Sequence, residues 1–272
     1  MIQNLHTHTS FDDGQNTPEE MIRAAIAAGI SSLGFSVHTP MPLPACWTIS
    51  KERVGDYIAE IDRLKGVYRG KIEVFCGAEW DLHSADLPTG FDYVIGSIHH
   101  LPNGDGLDSV DNTAEETRRV LAKNYGWDAD AFAEAYFQLY QAIAACDQVD
   151  IVGHFDLLTK FDEQYAFFRA DSERYQAAAN AAIDALIASG KLFEINTGAI
   201  SRGYRTTPYP SQTLLKRIQQ RGGKIVIGSD AHRAEDIAFG LKQAMKLALD
   251  SGFTEIWQFN GKEFTPTKIS LE

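Results

Sequence analysis

Short apolar runs alternate with longer amphipathic stretches from one end of this chain to the other. The pattern predicts strands near residues 2–6, 32–37, 72–78, 92–98, 149–153, 191–196 and 224–229, with a last one near 254–259. Thr17-Pro18-Glu19-Glu20 signals a helix start, with a capping Thr, Pro at the first helical position and Glu three residues after the cap. Met21, Ile22, Ala25, Ile26 and Ala28 then share one face, and Gly29 closes the helix. Thr113-Ala114-Glu115-Glu116 repeats the capping signal before a second helix. Further helices are expected near 51–65, 129–146, 171–189, 211–221 and 234–250. Leu101 to Asn112 has little hydrophobicity and reads as a loop over the strand ends.

Ile151-Val152-Gly153 and Ile225-Val226-Ile227-Gly228 are apolar without alternation, as strands covered on both faces should be. Alternating β and α elements of this kind favour a parallel sheet with right-handed crossovers. No linker and no repeat divides the chain, so one domain over residues 1–272 is expected. An open sheet collects its ligands at one switch point, whereas a barrel gathers residues from many strand ends. Here successive strand ends carry His6/His8, His38, Glu79, His99, His154, Asn196 and Asp230/His232. Only a closed ring brings seven such ends together.

Composition narrows the function. The 272 residues carry a formal charge of −12, which argues against a broad surface for nucleic acid or anionic lipid. Three cysteines without a CxxC spacing argue against a disulfide framework. The start lacks a basic region followed by an apolar stretch, and no apolar run reaches the roughly 18 residues a membrane helix needs. A soluble, cytoplasmic protein is expected. Nucleotide-phosphate loops and the GxSxG elbow are both missing from the sequence. Phe132, Tyr136, Phe137 and Tyr140 are spaced for helical core packing.

Six of the eight histidines sit at the predicted strand ends. His6-Thr7-His8 places two imidazoles on the same side of an extended chain, and Asp230-Ala231-His232 repeats that geometry near the other end. A carboxylate such as Glu79, closing the apolar Cys76-Gly77-Ala78, needs a partner or a metal. His99 and His100 follow Gly96-Ser97-Ile98, and only one of the two can face inward on a strand.

In order, these motifs resemble the polymerase-and-histidinol-phosphatase (PHP) family. The set comprises His-x-His followed by Asp-Gly, Gly-Phe-Ser-x-His, Gly-x-Glu, Ser-x-His, Gly-His and Gly-Ser-Asp-Ala-His. Val152-Gly153-His154-Phe155-Asp156-Leu157, Phe193-Glu194-Ile195-Asn196-Thr197-Gly198 and Tyr209-Pro210-Ser211 are similar to its histidinol-phosphate phosphatase branch. The resemblance implies a single-domain, distorted seven-stranded β/α (TIM-like) barrel, with its active site at the C-terminal strand ends and three divalent metals. His6, His8 and Asp230 would hold one metal, Glu79 would bridge to a second completed by His99 and His154, and Asp13, His38 and His232 would form the third. Two positions depart from the family pattern: Asn4 and Val37 stand where acidic residues are common.

Six neutral imidazoles and three carboxylates around three divalent cations leave a local charge of about +3, suited to a phosphomonoester dianion. Mixed nitrogen and oxygen ligation suits Zn, Mn or Fe. The implied activity is hydrolysis of L-histidinol phosphate to L-histidinol and phosphate, a step of histidine biosynthesis, by a metal-bridging hydroxide. Glu79, Asp230 and His232 would be the catalytic members. Arg202, Arg205, Asn196 and His100 are the expected substrate contacts, Arg202 for its forked grip on phosphate. The alternatives are a phosphoesterase of this fold acting on a nucleotide or a protein phosphotyrosine, and a non-catalytic metal-binding module.

Overall fold

A computed structural model describes residues 2–42, 45–104 and 106–271; Met1 at the start and Asp105 within the expected loop lie outside them. The strands are β1 (Gln3–Asn4), β2 (Ser32–His38), β3 (Glu73–Asp81), β4 (Tyr93–Ser97), β5 (His100–Asn103) and β6 (Gly106–Ser109). They continue with β7 (Ile151–Val152), β8 (Leu192–Asn196), β9 (Lys224–Gly228), β10 (Glu255–Phe259) and β11 (Phe264–Lys268). Seven of them form one parallel sheet in the order β1-β2-β3-β4-β7-β8-β9. The ring nearly closes where Thr7 bridges Ala231 in parallel and the His8 N–H donates to the Ala231 carbonyl at 2.9 Å.

Asn4 pins that seam. Its Nδ2 donates to Ser229 Oγ at 2.7 Å and to the Ile237 carbonyl at 2.9 Å, while its Oδ1 accepts from the Ser229 N–H at 3.2 Å. An aspartate could accept here but not donate, so the amide suits a seam that needs both.

Helices Pro18–Ala27, Val54–Val67, Ala114–Tyr125, Glu173–Ala188, Gln212–Gln220 and Leu241–Asp250 lie along the chain between and after the strands. The first carries the expected capping box at Thr17 and Glu20. The 129–146 segment is two helices, Ala129–Gln138 and Tyr140–Ala145. The 234–250 segment is interrupted at Gly240, whose φ of 69° starts Leu241–Asp250 and whose missing Cβ leaves room for Thr197. The expected loop at 101–112 is in part a hairpin, β5 against β6, whose short, partly buried strands carry too few apolar residues to announce themselves. The last expected strand, β10, pairs antiparallel with β11 outside the barrel sheet. Among the described residues no helix is long and apolar enough to cross a membrane.

The interior of the barrel is a small apolar cluster that includes Leu5, Phe75, Tyr93, Ile95, Ile151, Leu192, Val226 and Phe259. Phe259 of β10 stands 5.1 Å from Phe75 and 6.0 Å from Tyr93, ring to ring. Gln3 holds β10 there by exchanging hydrogen bonds with the Phe259 N–H and carbonyl at 2.8 and 2.9 Å. Tyr93 lies across β2 and β3, and its hydroxyl donates to the Leu5 carbonyl, with the Phe35 carbonyl 3.0 Å away. It fits because Gly34 and Gly77 lack side chains; a Cβ at either would come within 2.3 or 2.2 Å of the Tyr93 ring or hydroxyl. Polar groups are thereby confined to the other end of the barrel.

Gly77→Ala should therefore overpack the barrel and cost about 1–3 kcal/mol or more. Tyr93→Phe, which keeps the volume and loses only the hydroxyl, should cost about 1 kcal/mol. Urea unfolding of both variants checks the order; an equal or smaller loss in Gly77→Ala would show that Tyr93 can swing clear.

Candidate metal centre

The parallel strands all point their C-terminal ends toward one mouth, and the strand-end residues meet there. His6 and His8 leave β1, His38 ends β2, Glu79 lies within β3, His99 follows β4, His154 follows β7, and Asp230 and His232 follow β9. His154 and Asp230 hold φ values of 23° and 50°, a left-handed backbone that costs a non-glycine residue about 1–3 kcal/mol. Gly198 permits a further close approach, since a Cβ there would meet the Asp230 carboxylate at 2.6 Å.

Three carboxylates collect the imidazoles. Glu79 Oε2 lies 3.1 Å from His38 Nδ1, 3.2 Å from His6 Nε2 and 3.4 Å from His8 Nε2. Its Oε1 lies 2.9 Å from His154 Nε2 and 3.5 Å from His99 Nε2, and accepts from Ser97 Oγ at 2.6 Å. Asp230 Oδ1 stands 3.4 Å from His8 Nε2, 3.5 Å from His232 Nδ1 and 3.7 Å from His6 Nε2. Asp13 Oδ1 stands 3.2 Å from His232 Nε2 and 3.8 Å from His38 Nε2.

Ligand atoms at bonds of about 2.1 Å to a tetrahedral ion lie about 3.4 Å from one another, so these spacings suit cations between the groups. Among the described residues three sets converge closely enough to hold an ion: His6, His8 and Asp230; His6, Glu79 and His154; His8, Asp13, His38 and His232. His6 and His8 each belong to two sets, which overlap accordingly. His99 stands just outside them, and its Nε2 faces Glu79 Oε1 at 3.5 Å. His8 Nε2 is buried and has no hydrogen-bond partner among the described residues, although it faces Glu79 and Asp230. A buried nitrogen donor left in that position fits a metal ligand.

Sequence reasoning missed the carboxylates behind the imidazoles. Glu194 Oε1 bonds His6 Nδ1 at 2.7 Å, and its Oε2 accepts from the His154 N–H at 3.1 Å. Asp12 Oδ2 bonds His8 Nδ1 at 2.7 Å and the His38 N–H at 3.0 Å. Asp81 Oδ2 bonds His99 Nδ1 at 3.1 Å and the His99 N–H at 2.9 Å. Each turns a ring so that Nε2 faces the centre. Glu194 had a signal, an acid inside the apolar run Leu192-Phe193-Glu194-Ile195; Asp81 had only its place two residues after Glu79, and Asp12 its place four residues after His8. His6 thus takes its support from Glu194 across the barrel, while Asn4 serves the seam.

These three acids also revise the charge count. Added to Asp13, Glu79 and Asp230, they offset the local excess of about +3 that three cations would leave. Burial would raise the Glu79 carboxyl, but the His38 and His6 imidazoles hold it well below the usual range. Burial would lower His8, yet Asp12 lifts it to about 10; likewise Asp81 lifts His99 to about 9. His38, where burial dominates, is pushed down to about 4.

The expected substrate contacts divide. Arg202 sits at the rim, donating from Nη1 to the Asp230 carbonyl at 2.9 Å and from Nη2 to Asp230 Oδ2 at 3.0 Å. Arg205 is buried and engaged elsewhere: it donates to Thr159 Oγ1, to the Thr159 carbonyl at 3.1 Å and to the Thr207 carbonyl at 3.2 Å. Asn196 is fully buried, with Nδ2 donating to Glu194 at 2.9 Å and Oδ1 accepting from the Gly198 N–H at 2.9 Å. Both of these residues fix the loop after β8. His100 turns away from Glu79, its Nδ1 3.6 Å from Asp81 Oδ2.

The chain is similar to several known proteins. A "Probable histidinol-phosphatase" of Deinococcus radiodurans is 31% identical, over 91% of this chain and 92% of the relative. The histidinol-phosphatase of Bacillus subtilis is 28% identical, over 86% of this chain and 94% of its own. The fold matches the histidinol phosphate phosphatase of Lactococcus lactis, solved with zinc, L-histidinol and phosphate, at a TM-score of 0.74 and 22% identity, covering 97% of this chain and 98% of that one. The PHP domain model matches residues 4–198, and with that match the chain belongs to the PHP domain family.

Proposed function

We propose that this protein is a metal-dependent phosphomonoesterase that hydrolyses L-histidinol phosphate to L-histidinol and phosphate. The observation that carries the proposal is the set of overlapping imidazole–carboxylate groups at the barrel mouth, with a guanidinium at their rim. The relatives' names point to the substrate. His6, His8 and Asp230 would hold one divalent ion, Glu79 with His99 and His154 would hold a second, and Asp13, His38 and His232 would hold a third. Zn, Mn and Fe suit these donors. The full chain, residues 1–272, acts as one catalytic domain. Cys46, Cys76 and Cys146 are all free thiols, which supports a cytoplasmic setting. The acidic net charge of −12 supports a small phosphomonoester rather than nucleic acid as substrate.

Divalent cations held here would supply positive charge to the phosphate oxygens and lower the pKa of water toward about 7. The chain's own residues do the rest. Glu194, Asp12 and Asp81 fix the rings of His6, His8 and His99 before any ligand arrives. Glu79 presents an oxygen on each side, keeping the His6/His8/His38 and His154/His99 groups at one separation. Arg202 lies against Asp230, beside the group that the phosphate approaches, and its planar fork can grip an oxygen as charge develops. The Glu79 and Asp230 carboxyls, both held well below their ordinary range, stay ionised throughout the neutral region.

Phosphate release from histidinol phosphate, AMP, p-nitrophenyl phosphate and a bis-ester tests the function. Histidinol phosphate should exceed each of the others by at least about tenfold in kcat/KM. Equal efficiency across the panel would leave a generic phosphatase.

Metal loading should release protons. Before a cation binds, His8 and His99, lifted to about 10 and about 9, carry protons at neutral pH, whereas His38 at about 4 does not. Zinc added to chelator-treated protein at pH 7.5 in weak buffer should therefore acidify the solution, and affinity should weaken as pH falls. Binding without acidification would remove His8 and His99 from the ligand set.

Arg202→Ala should lower kcat/KM on the order of 10²-fold, with metal measured on the same sample. Arg205→Ala should instead lower the unfolding temperature, since its bonds tie Thr159 to the loop after β8. The reverse pattern would move the phosphate contact to Arg205.

A further inference from the structure

The metal centre can recognise the phosphate of any monoester, so selection among monoesters has to come from side chains beside it. One large side chain at the mouth has no part in the proposed reaction. Trp47, on the loop after β2, is half-buried, although the other big aromatics near the barrel, such as Tyr57 and Phe155, are fully buried. Its indole stands 4.8 Å from His38 at an interplanar angle of 89° and 5.5 Å from His99. It lies nearly parallel to His100, with ring centroids 5.9 Å apart at 22°. Trp47 therefore borders two candidate ligands and, with His100, offers adjoining π surface at the edge of the phosphate site.

The loop that carries Trp47 is fastened at both ends. The Ile49 N–H donates to the His38 carbonyl at 3.0 Å, and the Ile49 side chain is buried in the core. On the other side the Ala85 N–H donates to the Pro40 carbonyl at 3.0 Å, and the Thr39 and Ser84 hydroxyls bond each other at 2.6 Å. An indole offers a flat, electron-rich face with few rotatable bonds, and such a face attracts aromatic rings and cations.

We propose that Trp47, with His100 beside it, is the platform on which the ring of the substrate's leaving group stacks, making it a specificity-determining residue. The identity of that ring as an imidazole rests on the histidinol phosphate reading; the platform itself rests on the ring geometry. It gives a part to His100, the member of the His-His pair whose ring lies alongside Trp47. Asp81, 3.6 Å behind His100, adds negative charge suited to a cationic ring.

The test compares wild type, Trp47→Leu and Trp47→Phe on histidinol phosphate and on O-phosphoethanolamine, a ring-free amino-alcohol monoester. The ratio of the two kcat/KM values should fall about tenfold in Trp47→Leu and be largely retained in Trp47→Phe. L-Histidinol should quench tryptophan fluorescence in the metal-loaded wild type. That quench should vanish in Trp47→Phe, which keeps Trp80, Trp127 and Trp257. A ratio unchanged within about twofold in Trp47→Leu, or a quench that survives in Trp47→Phe, overturns the platform. If Trp47→Leu fails to fold, the quench in Trp47→Phe decides alone. If wild type shows no preference for histidinol phosphate, the substrate reading fails. The platform is then judged by the same ratio with p-nitrophenyl phosphate, standing if the ratio depends on Trp47 and falling if it does not.

Discussion

A single buried carboxylate organises the mouth of this barrel. Glu79 is all but inaccessible to solvent, and its two oxygens lie within 3.5 Å of nitrogens from five histidines on four different strand ends. A carboxylate buried alone would be strongly destabilising. Here the cost is offset by imidazoles, either protonated or holding cations between themselves and the acid. The same group thus sets the position of the ligands and demands that something positive join them.

That demand propagates outward. Imidazoles gathered this closely have to be kept in register, and Glu194, Asp12 and Asp81 do so by holding the nitrogens that face away from the centre. Each also accepts from a backbone N–H, so it ties ring orientation to the trace of the chain. The result is a centre in which protons and metal ions compete for the same nitrogens. On the proposed reading with three cations, a substrate dianion would meet a region close to neutral overall, with its attraction concentrated at the cations and at Arg202.

The opposite end of the barrel makes this concentration of charge tolerable. Tyr93 fills the interior against Gly34 and Gly77, and the β10–β11 hairpin places Phe259 beneath it. Apolar filling there and polar filling at the C-terminal ends give the barrel a single functional mouth. The Asn4 seam closes the ring on the polar side, which brings His6 and His8 to Asp230.

Much of this was legible in the chain. The parallel sheet followed from apolar runs alternating with amphipathic helices, and the strand-end acids and histidines announced a closed ring, because each residue's chemistry was out of keeping with the apolar strand it ended. The sequence by itself determined which residue types reach the mouth and in what order. It did not determine who stands behind them: Glu194 is 188 positions from His6, and only the packing of β8 beside β9, whose end meets the β1 segment at the seam, makes them partners. Arg202 and Arg205, three residues apart with the same chemistry, were indistinguishable until the loop after β8 turned one toward Asp230 and buried the other at Thr159. Periodicity and motif record what a residue can do locally. Hydrogen bonding between distant strand ends depends on backbone direction and barrel closure, which only the folded chain decides.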